Sequence, residues 1–132
     1  PLSQAIHTYF NVSDVKQTKL SGLDGLEYED KLLQMSSRQS GNIMLDSACD
    51  RIYLTDQREV VLDEPARRVS ILGEGHDSIV VWNPWRDGAQ KMADFDSDGY
   101  QRMICVEMAN TREFVLAPGK DHVLTQEIRI VS

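Results

Sequence analysis

The chain has 132 residues, 41% of them hydrophobic and 27% charged, with a formal net charge of −7. That length fits one domain or part of a larger one, and that much apolar material excludes a disordered chain. The acidic balance excludes a conventional nucleic-acid binder, which needs clustered Lys and Arg; the nearest thing to a patch is Arg67-Arg68, an ordinary solvated pair. No apolar run approaches the roughly 18–20 residues of a membrane-spanning helix, and no basic-then-apolar leader opens the chain. Cys49 and Cys105 belong to no CxxC and read as two buried free thiols of a reduced, cytoplasmic protein. With three histidines scattered between them, they show no zinc-ligand spacing.

In chain order, strand signals dominate. Residues 4–12 alternate and are rich in β-branched and aromatic side chains, with Ala5, His7 and Tyr9 on one face and Ile6, Thr8 and Phe10 on the other. Residues 17–23 predict a second strand, closed by the turn Asp24-Gly25. Residues 28–42 are polar and read as a long loop with a helical turn at most. Residues 51–54 and 59–62 predict one hairpin; residues 68–72 and 78–82 predict another, turned at 73–77. Asn83-Pro84 ends that strand, because proline cannot donate to a ladder. Residues 85–99 form a polar loop with one helical turn at 89–93. Residues 100–109 are the clearest central strand, residues 112–116 a shorter one, Pro118-Gly119 a turn, and residues 122–131 a last alternating strand with Leu124, Gln126, Ile128 and Ile130 on one face. Many short strands with turns between them, no βαβ pattern and no repeat mean an all-β sandwich or barrel, with residues 1–132 as a single segment.

Several polar residues stand where a strand prefers apolar ones. Glu107 lies in the run Met103-Ile104-Cys105-Val106-Glu107-Met108. A carboxylate there faces solvent, pairs with a cation or serves a site. His7 interrupts the first strand in the same way, as a satisfied structural group or a catalyst. Asp50 opens a strand beside Arg51, as a local ion partner or a binding group. Asp94, Asp96, Asp98 and Gly99 fit the opening of a calcium loop, but the twelfth position, where a bidentate Glu belongs, is Cys105. A solvated acidic turn is the better reading. The chain begins at Pro1; an N-terminal proline amine is the base of some tautomerases, but a processed or cleaved start is the expected reading.

Taken together, these segments resemble those of one family. Residues 5–12 (AIHTYFNV) are similar to the "hTYF.V" segment of hexose-6-phosphate mutarotases, also called glucose-6-phosphate 1-epimerases, of the aldose 1-epimerase superfamily. Asp50-Arg51-Ile52-Tyr53 resembles the family's D-x-[IV]-Y, and Val81-Trp82-Asn83-Pro84-Trp85 its "vWNPW" turn. Met92 to Phe95 and Cys105-Val106-Glu107 resemble its "m.DF" and "C.E" segments. Leu116 to Gly119 with Gln126 resembles its "L.PG…Q" ending. Each is weak alone; six in the family's order, along nearly the whole chain, are specific.

The resemblance implies an antiparallel β-sandwich, the galactose-mutarotase-like supersandwich, of which this chain would be the C-terminal half. It implies an isomerase that interconverts the α and β anomers of a hexose 6-phosphate without cofactor or metal. His7 and Glu107 match the family's catalytic pair, and Asp50 matches a sugar-binding residue. Family domains are about twice as long, and their N-terminal part supplies strands of the sandwich and basic residues that help bind the phosphate. The expected partners are therefore a small sugar phosphate and either the missing N-terminal half or a second copy, with no nucleic acid and no membrane. The competing expectations are a non-catalytic carbohydrate-binding or regulatory module on the same fold, or an interaction protein without a sugar site; fold alone does not fix function.

Overall fold

The computed structural model describes residues 2–131; Pro1 and its amine lie outside the described residues. Among the described residues, eleven strands form two antiparallel sheets. The strands are β1 (Leu2–Ile6), β2 (Tyr9–Asn11), β3 (Lys19–Ser21), β4 (Glu27–Asp30), β5 (Met35–Arg38), β6 (Cys49–Tyr53), β7 (Glu59–Glu64), β8 (Arg67–Glu74), β9 (Ser78–Asn83), β10 (Met103–Phe114) and β11 (Thr125–Ile130). The larger sheet has seven strands in the order β1-β10-β9-β6-β4-β5, with β2 also on β10; the smaller has four, β11-β8-β7-β3. One short helix, α1 (Trp85–Gln90), follows β9.

Period-two alternation decides which faces meet. Phe10, Tyr53, Ile79, Val81, Ile104, Val106 and Met108 of the larger sheet share one core with Leu20, Val60, Leu62, Val69 and Ile71 of the smaller. β10 is the central strand the sequence predicts, and it runs on into the stretch expected as a separate short strand. All eight of its residues from Met103 to Asn110 are buried.

Several sequence expectations need correction. Residues 28–42 are not a loop: β4 and β5 form a hairpin. Its turn is built by the Asp30 carboxylate, which accepts from the Leu32 and Leu33 amides at 3.0 Å each, and by Gln34 at φ 54°. The hairpin is at the edge of the sheet and every side chain of β5 is exposed, so no hydrophobic alternation marks it. The two expected hairpins are also absent. β6 pairs with β4 and β9, and β7 pairs with β3 and β8. The hairpin is β7–β8, and the links β6→β7 and β8→β9 carry the chain from one sheet to the other. The second link needs Gly75, at φ 82°, where a Cβ would run into the Val123 carbonyl oxygen. Finally, the helical turn comes earlier than predicted. Asn83 sets it: the side chain accepts from the Trp85 amide at 2.8 Å and donates to the Tyr100 and Met103 carbonyls at 2.9 Å each.

The first strand is broken in two at His7 and Thr8. The register is the same on both sides of the break, Ile6 opposite Met108 and Tyr9 opposite Cys105. Counting inward, His7 falls opposite Glu107 and Thr8 opposite Val106.

Candidate active site

The outer face of the larger sheet, turned away from the smaller one, carries the candidate residues in two rows. Tyr9, Cys105, Trp82 and Asp50 follow one another across β2, β10, β9 and β6. Beside them run His7, Glu107, Val80 and Ile52. Strand pairing therefore brings residues 7, 50 and 107, far apart in sequence, onto one surface. Glu107 is next to His7, and Asp50 is two strands away with Trp82 between.

His7 Nε2 lies 3.4 Å from Glu107 Oε2. The two side chains differ sharply in access: Glu107 is 7% exposed and His7 49%. Burial pushes the Glu107 carboxyl above the usual carboxylate range; His7 opposes that shift and the charge of Asp50 adds to it. The His7 ring is also set among aromatics, 4.9 Å from Tyr9 and 5.8 Å from Trp82 between centroids. Burial raises the Tyr9 phenol, with Cys105 and Glu107 reinforcing it, so its hydroxyl remains a donor. Asp50 is half-buried; burial raises its carboxyl, Lys31 opposes and Asp30 adds to the rise. Lys31 is held beside it, its amide donating to the Asp50 carbonyl at 2.8 Å.

Of the two tryptophans, Trp82 belongs to this face. Trp85 does not: it packs on the core and against Tyr100, 5.2 Å between ring centroids. The Asp94–Asp98 segment is a turn, with Asp96 3.7 Å from Arg102. Among the described residues no three His, Cys, Asp or Glu side chains are grouped to hold a metal ion, and no helix is long and apolar enough to cross a membrane. Alternation in the sequence already places Tyr9 on the face of His7 and Cys105 on that of Glu107, but gives neither residue a part in the site.

A buried carboxylate touching an accessible imidazole is an acid–base pair open to a ligand from one side. Comparison with known proteins places the chain in a family. Residues 1–129 match the family model "Aldose 1-epimerase". A protein of Cenchrus ciliaris named "Putative glucose-6-phosphate 1-epimerase" is 34% identical over 89% of this chain and 37% of its own length. One of the same name from Escherichia coli K12 is 32% identical over 97% of this chain and 45% of its own. The crystal structure of a "putative mutarotase" from Salmonella typhimurium superposes with a TM-score of 0.83 at 27% identity, over 97% of this chain and 45% of that one. This chain thus spans less than half the length of the relatives it matches, and its two sheets are those of one half of a mutarotase sandwich. By sequence along nearly its whole length, and by fold, the chain belongs to the aldose 1-epimerase family.

Proposed function

We propose that this chain carries the acid–base machinery of an isomerase that interconverts the α and β anomers of a hexose 6-phosphate. The observation that carries the reading is the 3.4 Å contact between His7 and Glu107 on an open sheet face. Opening a pyranose ring moves two protons, one off the anomeric hydroxyl and one onto the ring oxygen. Those oxygens are bonded to the same carbon, so the two catalysts must converge within a few ångströms, as these do. Glu107, ionised and largely desolvated, takes the hydroxyl proton as general base; protonated His7 gives its proton to the ring oxygen. The ring C–O bond breaks and C1 becomes an aldehyde. After rotation about C1–C2 the freed hydroxyl attacks the other face. His7 then recovers its proton and Glu107 returns the other to the new anomeric oxygen.

Asp50 accepts hydrogen bonds from sugar hydroxyls, and Trp82, between it and Glu107, offers an apolar surface to the ring. No cofactor or metal enters these steps. Contacts to the 6-phosphate are assigned to the N-terminal part that the relatives possess and this chain does not span. That part, or a second copy of the chain, also completes the sandwich: β11 is an edge strand, and its Ile128 and Ile130 are 47% and 61% exposed. Two free, buried thiols fit a cytoplasmic setting.

Anomer-resolved exchange NMR on glucose 6-phosphate tests the reading. It is run with this chain and, where the chain is part of a longer polypeptide, with that polypeptide. Catalysed exchange supports it; saturable binding of the sugar without exchange would mean a carbohydrate-binding module instead.

A further inference from the structure

The break between β1 and β2 leaves one ladder hydrogen bond unmade. In a continuous ladder Thr8 and Val106 would exchange two bonds. The Val106 amide does donate to the Thr8 carbonyl, at 3.3 Å, but the Thr8 amide turns back and donates to the Ile6 carbonyl at 3.1 Å. The Val106 carbonyl thus loses its ladder donor in a residue that is completely buried, where an unpaired polar group is costly. The replacement comes from the other sheet. Gln126 of β11, opposite Gly73 of β8, donates its side-chain Nε2 to the Val106 carbonyl at 3.0 Å, and its Oε1 accepts from the Thr8 hydroxyl at 2.6 Å. One planar amide fills the gap in the ladder, bonded to both of its sides.

Thr8 is covalently next to His7, and Val106 to Glu107. We infer that Gln126 is a positioning residue, holding from the smaller sheet the two peptides that aim His7 and Glu107 at one another. The inference rests on the acid–base reading of that pair. The chemistry of residue 126 is restrictive. It must present a donor and an acceptor on one rigid group, two methylenes from the backbone. Asn is one methylene short, Leu offers neither group, and an ionised Glu offers no donor.

The test uses substitutions at both ends of the bridge, read by anomer exchange and by NMR titration of the His7–Glu107 pair without substrate. Gln126→Leu should lower kcat at least about tenfold, as small misplacements of catalytic groups do, leave KM within a few-fold, and move the pair's titration. Gln126→Glu should carry a pH signature: protonated, the carboxyl reproduces the amide's donor and acceptor, and ionised it does not, so kcat falls with rising pH beyond the wild-type profile. Thr8→Ser should recover most of what Thr8→Val loses. A folded Gln126→Leu protein with wild-type kcat and wild-type titration would overturn the inference. If that variant does not fold, Gln126→Glu decides, and a pH profile parallel to wild type overturns it. A wild-type protein without exchange activity, whose pair titration nevertheless moves in Gln126→Leu, would sustain the positioning role and sink the mutarotase reading.

Discussion

His7 Nδ1 and the Cys105 sulfur are 4.0 Å apart, so each ring nitrogen of the histidine faces a side chain of β10, the thiol on one side and the Glu107 carboxylate on the other. Burial first, and then the charge of Glu107, push the Cys105 thiol well up, so at neutral pH it is a protonated neighbour of the imidazole and not a nucleophile. Cys49 is pushed up to about 12, again mainly by burial, with Arg51 opposing. Neither thiol should react with an aromatic disulfide reagent in the native protein at pH 7, and both should react once it is unfolded. Rapid labelling of one native thiol would contradict this electrostatic picture.

The pH dependence follows from Glu107. The proposed base must be ionised, and its carboxyl is held above the ordinary value of about 4.3 by burial and by Asp50, with His7 opposing. The acidic limb of kcat/KM should therefore have its midpoint above that value, as a property of the coupled pair. Removing the neighbouring negative charge with Asp50→Asn should shift the Glu107 titration in the substrate-free protein to lower pH, seen in the carboxyl carbon resonance. A shift upward, or none, would count against the shared site.

Glu64 makes the opposite case, a buried carboxylate with a structural task. Burial alone would raise it. The Ser13 amide and hydroxyl, donating at 2.9 and 3.0 Å, the Ala66 amide at 3.2 Å and nearby Arg67 outweigh burial and hold its pKa down. A carboxyl lowered on folding stabilises the fold above its unfolded pKa, and that stability is lost as pH falls towards the folded value. Glu64→Gln should cost about 1–3 kcal/mol at pH 7, and the difference should shrink as the wild-type carboxyl is protonated. Denaturant melts at pH 7 and in acid check both parts; an equal deficit at both would refute the ionic origin.

The central strand was legible because its side chains are buried on either face, which leaves an unbroken apolar run from Met103 to Val106 with Glu107 conspicuous after it. Residues on one face of the first strand were legible for a related reason, since parity survives a break that keeps register. The β4–β5 hairpin was hidden because β5 is exposed throughout and its turn uses Asp30 and Gln34, not glycine. Which strands share a sheet was not legible either, because links such as residues 54–58 have the length of hairpin turns yet cross between sheets. Pairing of His7 with Glu107 is a long-range property. Before strand pairing is known, only the motif resemblance links the two residues, and the order of motifs says nothing of the 3.4 Å between them.

The most direct measurement on the central claim is the exchange rate between the anomers of glucose 6-phosphate with Glu107→Gln beside the unaltered protein, binding of the sugar phosphate being followed in the same samples. The substitution keeps the shape of the side chain and removes the proposed base. The account predicts a loss of at least about 100-fold in turnover, with binding largely retained and a comparable loss in His7→Asn. Exchange at a near-normal rate in Glu107→Gln would contradict it.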